Sequence, residues 1–145
     1  MEALCESFGE PLWTERGLRY AFPIPEVLAA ASDEDLAACG LGYRVSYVRS
    51  AAELASSGEL DLSLLYALDD RALFSELQRV QGVGKKVANC VCLFGYGRSS
   101  MVPVDVWIGR AIEECGVEDL FDQFGEDAGI IQQYVFYYMT NRDKQ

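Results

Sequence analysis

Gly82-Val83-Gly84, set between two segments of helical pattern, is the feature that most narrows what this chain can fold into. The upstream segment ends near Gln78 and the downstream one begins near Gly84. Two glycines at that junction permit positive φ and a close backbone approach, so the stretch reads as a tight corner between helices. The amide N–H groups of such a turn, together with those that open the next helix, can cradle a phosphate oxygen. A glycine corner alone serves equally well as a plain helix–turn–helix bend. Lys85 and Lys86 follow in the first turn of the second helix, where the macrodipole disfavours cations. A polyanionic partner would account for them.

Charge is distributed in keeping with that reading. The 145 residues carry a formal net charge of −11, yet Arg79, Lys85, Lys86, Arg98 and Arg110 face the single acid Asp105 between residues 79 and 110. Arg44 and Arg49 form a second acid-free island over residues 40 to 50. Whole-chain acidity opposes unspecific DNA binding, while local positive patches can still grip phosphate. The five cysteines, Cys5, Cys39, Cys90, Cys92 and Cys115, include no C-x-x-C pair, and histidine is absent. These spacings suit neither a zinc site nor an iron–sulfur cluster and read as reduced thiols. Any chemistry must run on lysine and carboxylate.

Periodicity and capping signals predict helices nearly throughout. Pro25 opens a helix through Ala31, and Ser32 caps the next, with Gly40 just past its end. Helical spacing covers Tyr43 to Ala55, Asp69 or Asp70 starts the helix leading into the glycine turn, and further helices cover about 84–94, 105–115 and 127–139. The expectation is a single all-α domain over 1–145, with the helix–hairpin–helix at about 70–96. No apolar run approaches membrane-spanning length, so the expectation is a soluble monomer in the cytoplasm, at the nucleoid in a bacterium.

An amine is a nucleophile only when unprotonated, and both a neighbouring cation and a helix start disfavour its proton. Lys86 beside Lys85 meets that description. Asp105, after Val102-Pro103-Val104, is placed to cap a helix, a role worth ~1 kcal/mol. It could also stabilise positive charge developing on a sugar and assist proton transfer.

The run Gly-Val-Gly-Lys-Lys-Val-Ala-Asn-Cys with Val-Pro-Val-Asp downstream resembles the helix–hairpin–helix base-excision DNA glycosylases, most closely the 8-oxoguanine DNA glycosylase/AP lyases. Phe22-Pro23, Gly40-Leu41-Gly42-Tyr43-Arg44, and Ala128-Gly129 through Phe136 follow the same order. The resemblance implies that Lys86 forms a Schiff base with the sugar C1′ and that Asp105 is the catalytic carboxylate. It implies a base pocket of Cys90, Gln132 and Phe136. Gln132 and Phe136, one turn apart, suit an extruded purine by amide hydrogen bonds and stacking. Tyr43 and Arg44 match residues that wedge into the duplex. Gly82, Val83, Gly84, Lys85 and Trp107 match the phosphate-contacting set, and the carbonyls of Gln78, Val80 and Val83 match a site for Na+ or K+.

Departures from the family pattern shape the expectation further. Gln81 stands where relatives usually have proline, and Trp107 where many have histidine. The family's N-terminal strand-containing region has no counterpart before Met1, and residues 1–8 look like the tail of an earlier helix, so the chain is expected to be truncated at its N-terminus. The implied activity is excision of oxidised purine from damaged double-stranded DNA, followed by β-elimination. An alkylated purine is the runner-up substrate, against which Lys86 argues. A catalytically weak DNA-binding module and a helical interaction protein are the alternatives from other classes.

Overall fold

The computed structural model describes residues 1–142. Where the sequence reading expects one domain, the backbone contacts sort the chain into two compact units. The first holds Met1–Leu64 together with Val80–Gly82, and the second holds Leu65–Arg79 with the described residues from Val83 on.

The first unit opens with α1 (Glu2–Phe8), then strands β1 (Pro11–Thr14) and β2 (Gly17–Tyr20), and helices α2 (Pro25–Ala30), α3 (Asp33–Ala38) and α4 (Val45–Ser57). Pro25 sits in the first turn of α2, where its missing N–H costs nothing. Ser32 caps α3 by accepting from the Asp35 N–H at 3.1 Å, with three acids in the first turn. A 3-10 turn over Gly42–Arg44 leads into α4, which stops at Gly58 with φ +79°. Leu4, Leu28, Leu36 and Ala52 are the buried centre, and Phe8, Val45 and Val48 pack around them. Arg49 of α4 donates to Ala29 O and Ala31 O at 3.1 and 2.7 Å and pairs with Asp33, so one side chain satisfies the end of α2 and anchors α3.

The helical architecture is as expected, with one correction. Pro11–Thr14 and Gly17–Tyr20 form an antiparallel hairpin, Thr14 opposite Gly17, which an all-helical reading omits. Gly17, at φ +94°, closes the turn, and the Thr14 hydroxyl donates to Gly17 O at 2.8 Å. Every residue of both strands is exposed, so no face had to alternate apolar and polar. That removed the signal by which strands are recognised.

A short helical turn, α5 (Leu62–Leu65), joins the two units in sequence. The second unit then contains α6 (Asp70–Leu77), α7 (Lys85–Cys90), α8 (Val106–Cys115) and α9 (Ala128–Asn141). Asp69 caps α6 through the Ala72 N–H at 2.8 Å. The helix expected to run from Gly84 to Phe94 keeps α-geometry only to Cys90. From Val91 to Gly95 it widens into a π turn, with Tyr96 N–H reaching Val91 O. Ile108, Phe121 and Ala128 form one buried cluster, with Val135 and Phe136 against it. Arg98 donates to Tyr66 O and Leu68 O, and its Nε lies 3.5 Å from an Asp70 oxygen. These bonds fix the entry to α6. Gly129 at the start of α9 donates to Ser99 O at 2.7 Å, and a Cβ there would overlap the carbonyls of Ser99 and Met101.

Candidate active site

Three pieces of the second unit meet around a cavity of about 180 Å³. The first is α7 with its π extension. Lys86 and Cys90 are one turn apart on α7 and share a face, and Phe94 adds an exposed ring beyond them. The second is the extended segment ending at Asp105, held to α7 by Asn89 Nδ2 donating to Val102 O at 3.0 Å. The third is α9, which contributes Gln132, Gln133 and Phe136. All five residues expected for catalysis and the base pocket, Lys86, Asp105, Cys90, Gln132 and Phe136, therefore line one cavity. Phe94, Pro103 and Gln133 also line it and were missed. Phe94 continues the helical spacing of Lys86 and Cys90, a signal that was present in the sequence.

Asp105 is the helix cap that its position in the sequence predicts. Its Oδ1 accepts from the backbone N–H groups of Trp107 and Ile108, each at 3.0 Å, which caps α8 and fixes the carboxylate's orientation. The second oxygen takes no part in that cap. Gln132 is only 2% exposed, and its Oε1 accepts from Gln133 Nε2 at 2.5 Å. Burial pushes the Cys92 thiol above its ordinary value, reinforced by Asp70 and opposed by Arg98. Cys92 is a packed thiol outside the cavity lining, unlike Cys90. The cavity is smaller than the ~300–1,000 Å³ of sites for drug-sized ligands and suits one planar ring. Its walls offer an amine, a carboxylate, an amide and an aromatic face.

The remaining expected residues are divided between the two units. Gly82 has φ +83°, and Gly84 is the extended N-cap of α7. Val83 is half-buried, and Lys85 and Lys86 are exposed. Tyr43 and Arg44 lie in the first unit, with the Arg44 guanidinium 5.3 Å from the Tyr43 ring centroid. Trp107 lies in the first turn of α8 with the Arg110 guanidinium over its ring at 4.9 Å. Gln78 and Val83 belong to the second unit and Val80 to the first. Their carbonyls suit a hard cation by donor type. Among the described residues no group of three or more Cys, Asp or Glu side chains could hold a metal ion, and no helix is long and apolar enough to cross a membrane.

Comparison with known proteins places these features in a family. Residues 1–123 match the HhH-GPD superfamily base excision DNA repair proteins. A probable N-glycosylase/DNA lyase of Methanothermobacter thermautotrophicus is 29% identical over 146 aligned positions, covering 81% of this chain and 46% of that protein. The structure of MBOgg1 in complex with a low-affinity DNA ligand superposes with a TM-score of 0.91 at 36% identity, covering 98% of this chain and 53% of that one. The 8-oxoguanine glycosylase/lyase of Clostridium acetobutylicum, bound to DNA with cytosine opposite 8-oxoguanine, gives 0.89 at 30%, covering 98% and 52%. The chain thus spans about half the length of these relatives.

Proposed function

This chain belongs to the HhH-GPD superfamily of base excision DNA repair proteins, and on that premise we propose that it is a bifunctional DNA glycosylase acting on oxidised purine, 8-oxoguanine foremost. The observation that carries the reading is the convergence of Lys86, Asp105, Cys90, Gln132 and Phe136 on one base-sized cavity. The similarity to 8-oxoguanine glycosylase/lyases supports the choice of lesion.

In this reading the damaged nucleotide leaves the duplex, and its base enters the cavity. Unpairing costs a few kcal/mol, which contacts to the extruded base and wedging by Tyr43 and Arg44 offset. Phe136 stacks on the base and Gln132 bonds its edge. The Lys86 amine attacks C1′ as the bond from C1′ to the base breaks, and the base departs with that electron pair and the proton that the attacking amine loses. Asp105 stabilises positive charge developing on the sugar. Its double backbone cap fixes its orientation in advance, so little reorganisation is needed. Ring opening gives an imine between Lys86 and C1′. Loss of a C2′ proton then expels the 3′ phosphate, and water releases Lys86 from the product. Lys85 and the amides from Gly82 to Gly84 grip the phosphate backbone, with Trp107 as a further phosphate contact.

The test is borohydride trapping on duplexes bearing 8-oxoguanine or an abasic site, with Lys86→Gln as control. A Lys86-dependent cross-link on both duplexes is expected. A cross-link on the abasic duplex alone would restrict the chemistry to lyase action. Salt-sensitive DNA binding without any cross-link would replace the reading with a DNA-binding module.

A further inference from the structure

Tyr47, in the first turn of α4, was assigned no role by the sequence. Its position connects two features of the first unit. A Cβ on Gly82 would overlap the Tyr47 ring carbons. Glycine is therefore required at 82 twice over, for its φ of +83° and for the room the ring takes. Tyr47 also meets Tyr43 edge-on, with centroids 6.0 Å apart and planes at 80°. Tyr43 is 76% exposed and carries the Arg44 guanidinium over its ring. The chain of contacts runs from Gly82 through Tyr47 to Tyr43 and Arg44, all within the first unit.

An aromatic ring left largely in water beside a cation has the chemistry of a base-stacking platform. Such a platform works best when its rotamer is fixed before binding, because ordering a side chain at an interface otherwise costs affinity. We propose that Tyr47, seated against Gly82 at the hairpin tip, is a positioning residue that holds the Tyr43 ring with Arg44 over it, so that the Tyr43 ring enters the DNA base stack preordered. The inference rests on the DNA-directed function above and adds to it the residue that braces the wedge. A flat ring is what the site requires. An aliphatic side chain at 47 would lack both the face against Gly82 and the edge-on partner for Tyr43.

The test is fluorescence of 2-aminopurine placed next to a tetrahydrofuran abasic analogue, which the protein can bind but not cleave. Wild-type protein should raise the signal as the ring displaces the neighbouring stack. Tyr47→Leu should lose the rise and bind about tenfold more weakly, the scale of one stacking contact, and Tyr47→Phe should restore both. Tyr43→Ala should show the same loss, and combining it with Tyr47→Leu should add little. A wild-type rise in Tyr47→Leu, or in Tyr43→Ala, would overturn the proposal, as would no rise in the wild type. If circular dichroism shows Tyr47→Leu unfolded, Tyr47→Met takes its place, and the exposed Tyr43→Ala decides independently. Borohydride trapping of the wild type on a natural abasic site judges the enzymatic reading separately.

Discussion

Gln133 Nε2 donates to Gln132 Oε1 at 2.5 Å across adjacent positions of α9, while Gln132 itself is almost completely buried. The bond occupies one lone pair of the Gln132 carbonyl. Its NH2 group and second lone pair remain for an occupant of the cavity that both residues line. Gln132→Leu keeps the approximate volume and removes those polar groups. Release of 8-oxoguanine should fall by about tenfold, the worth of one good hydrogen bond, with imine trapping at a preformed abasic site unchanged. Single-turnover rates on the two substrates measure this. An equal loss on both would assign Gln132 to packing instead.

Asp105 allows the cap and the chemistry to be separated. Asn caps a helix as well as Asp does, so Asp105→Asn should leave the urea midpoint near that of the wild type while base release falls by at least about a hundredfold. Asp105→Ala should lose both, costing about 1 kcal/mol of stability. Base release by Asp105→Asn at the wild-type rate would reduce Asp105 to a cap.

Gly129 begins α9 with the carbonyls of Ser99 and Met101 against its Cα. Since backbone cannot swing aside as a side chain can, Gly129→Ala should destabilise by about 1–3 kcal/mol and displace the helix carrying Gln132 and Phe136. Denaturant unfolding should show the loss. Gly109→Ala, where nothing lies within 4 Å of the added carbon, is the matched control and should leave stability unchanged or slightly raised.

Glu114 and Arg142 join α8 to the end of α9 through hydrogen bonds of 2.5 and 2.7 Å. The Arg142 guanidinium holds the Glu114 carboxyl below its ordinary value of 4.5, first through the hydrogen bond and then through its charge. A folded-state value lowered in this way contributes stability above the unfolded value and loses it as pH falls through the folded one. Carbon-detected NMR should therefore find the Glu114 midpoint below 4.5, and Arg142→Gln should raise it. A midpoint that does not move would mean the pair is not formed in solution.

How much of this was legible in the sequence follows from range along the chain. Ser32, Asp69 and Asp105 announce their helices because a cap acts on N–H groups two or three residues away. The same short range let the spacing of Lys86 with Cys90, and of Gln132 with Phe136, be read as shared helix faces. The hairpin at 11–20 escaped because its strands bury no face, and the widening after Cys90 because Val91, Cys92, Leu93 and Phe94 are all apolar and mark no period.

The sequence by itself determined the longer helices, their caps, the glycine turn and a run of residues resembling that of DNA glycosylases. Tertiary structure alone decided that α7, the Val102–Asp105 segment and α9 enclose one cavity, that Gln133 holds the Gln132 carbonyl, and that the Tyr47 ring fills the space beside Gly82. The physical reason is that local signals are set by backbone sterics and hydrogen bonds within a turn, whereas close packing joins residues far apart in the chain. Which distant side chains meet is settled only when the core closes at crystal-like density.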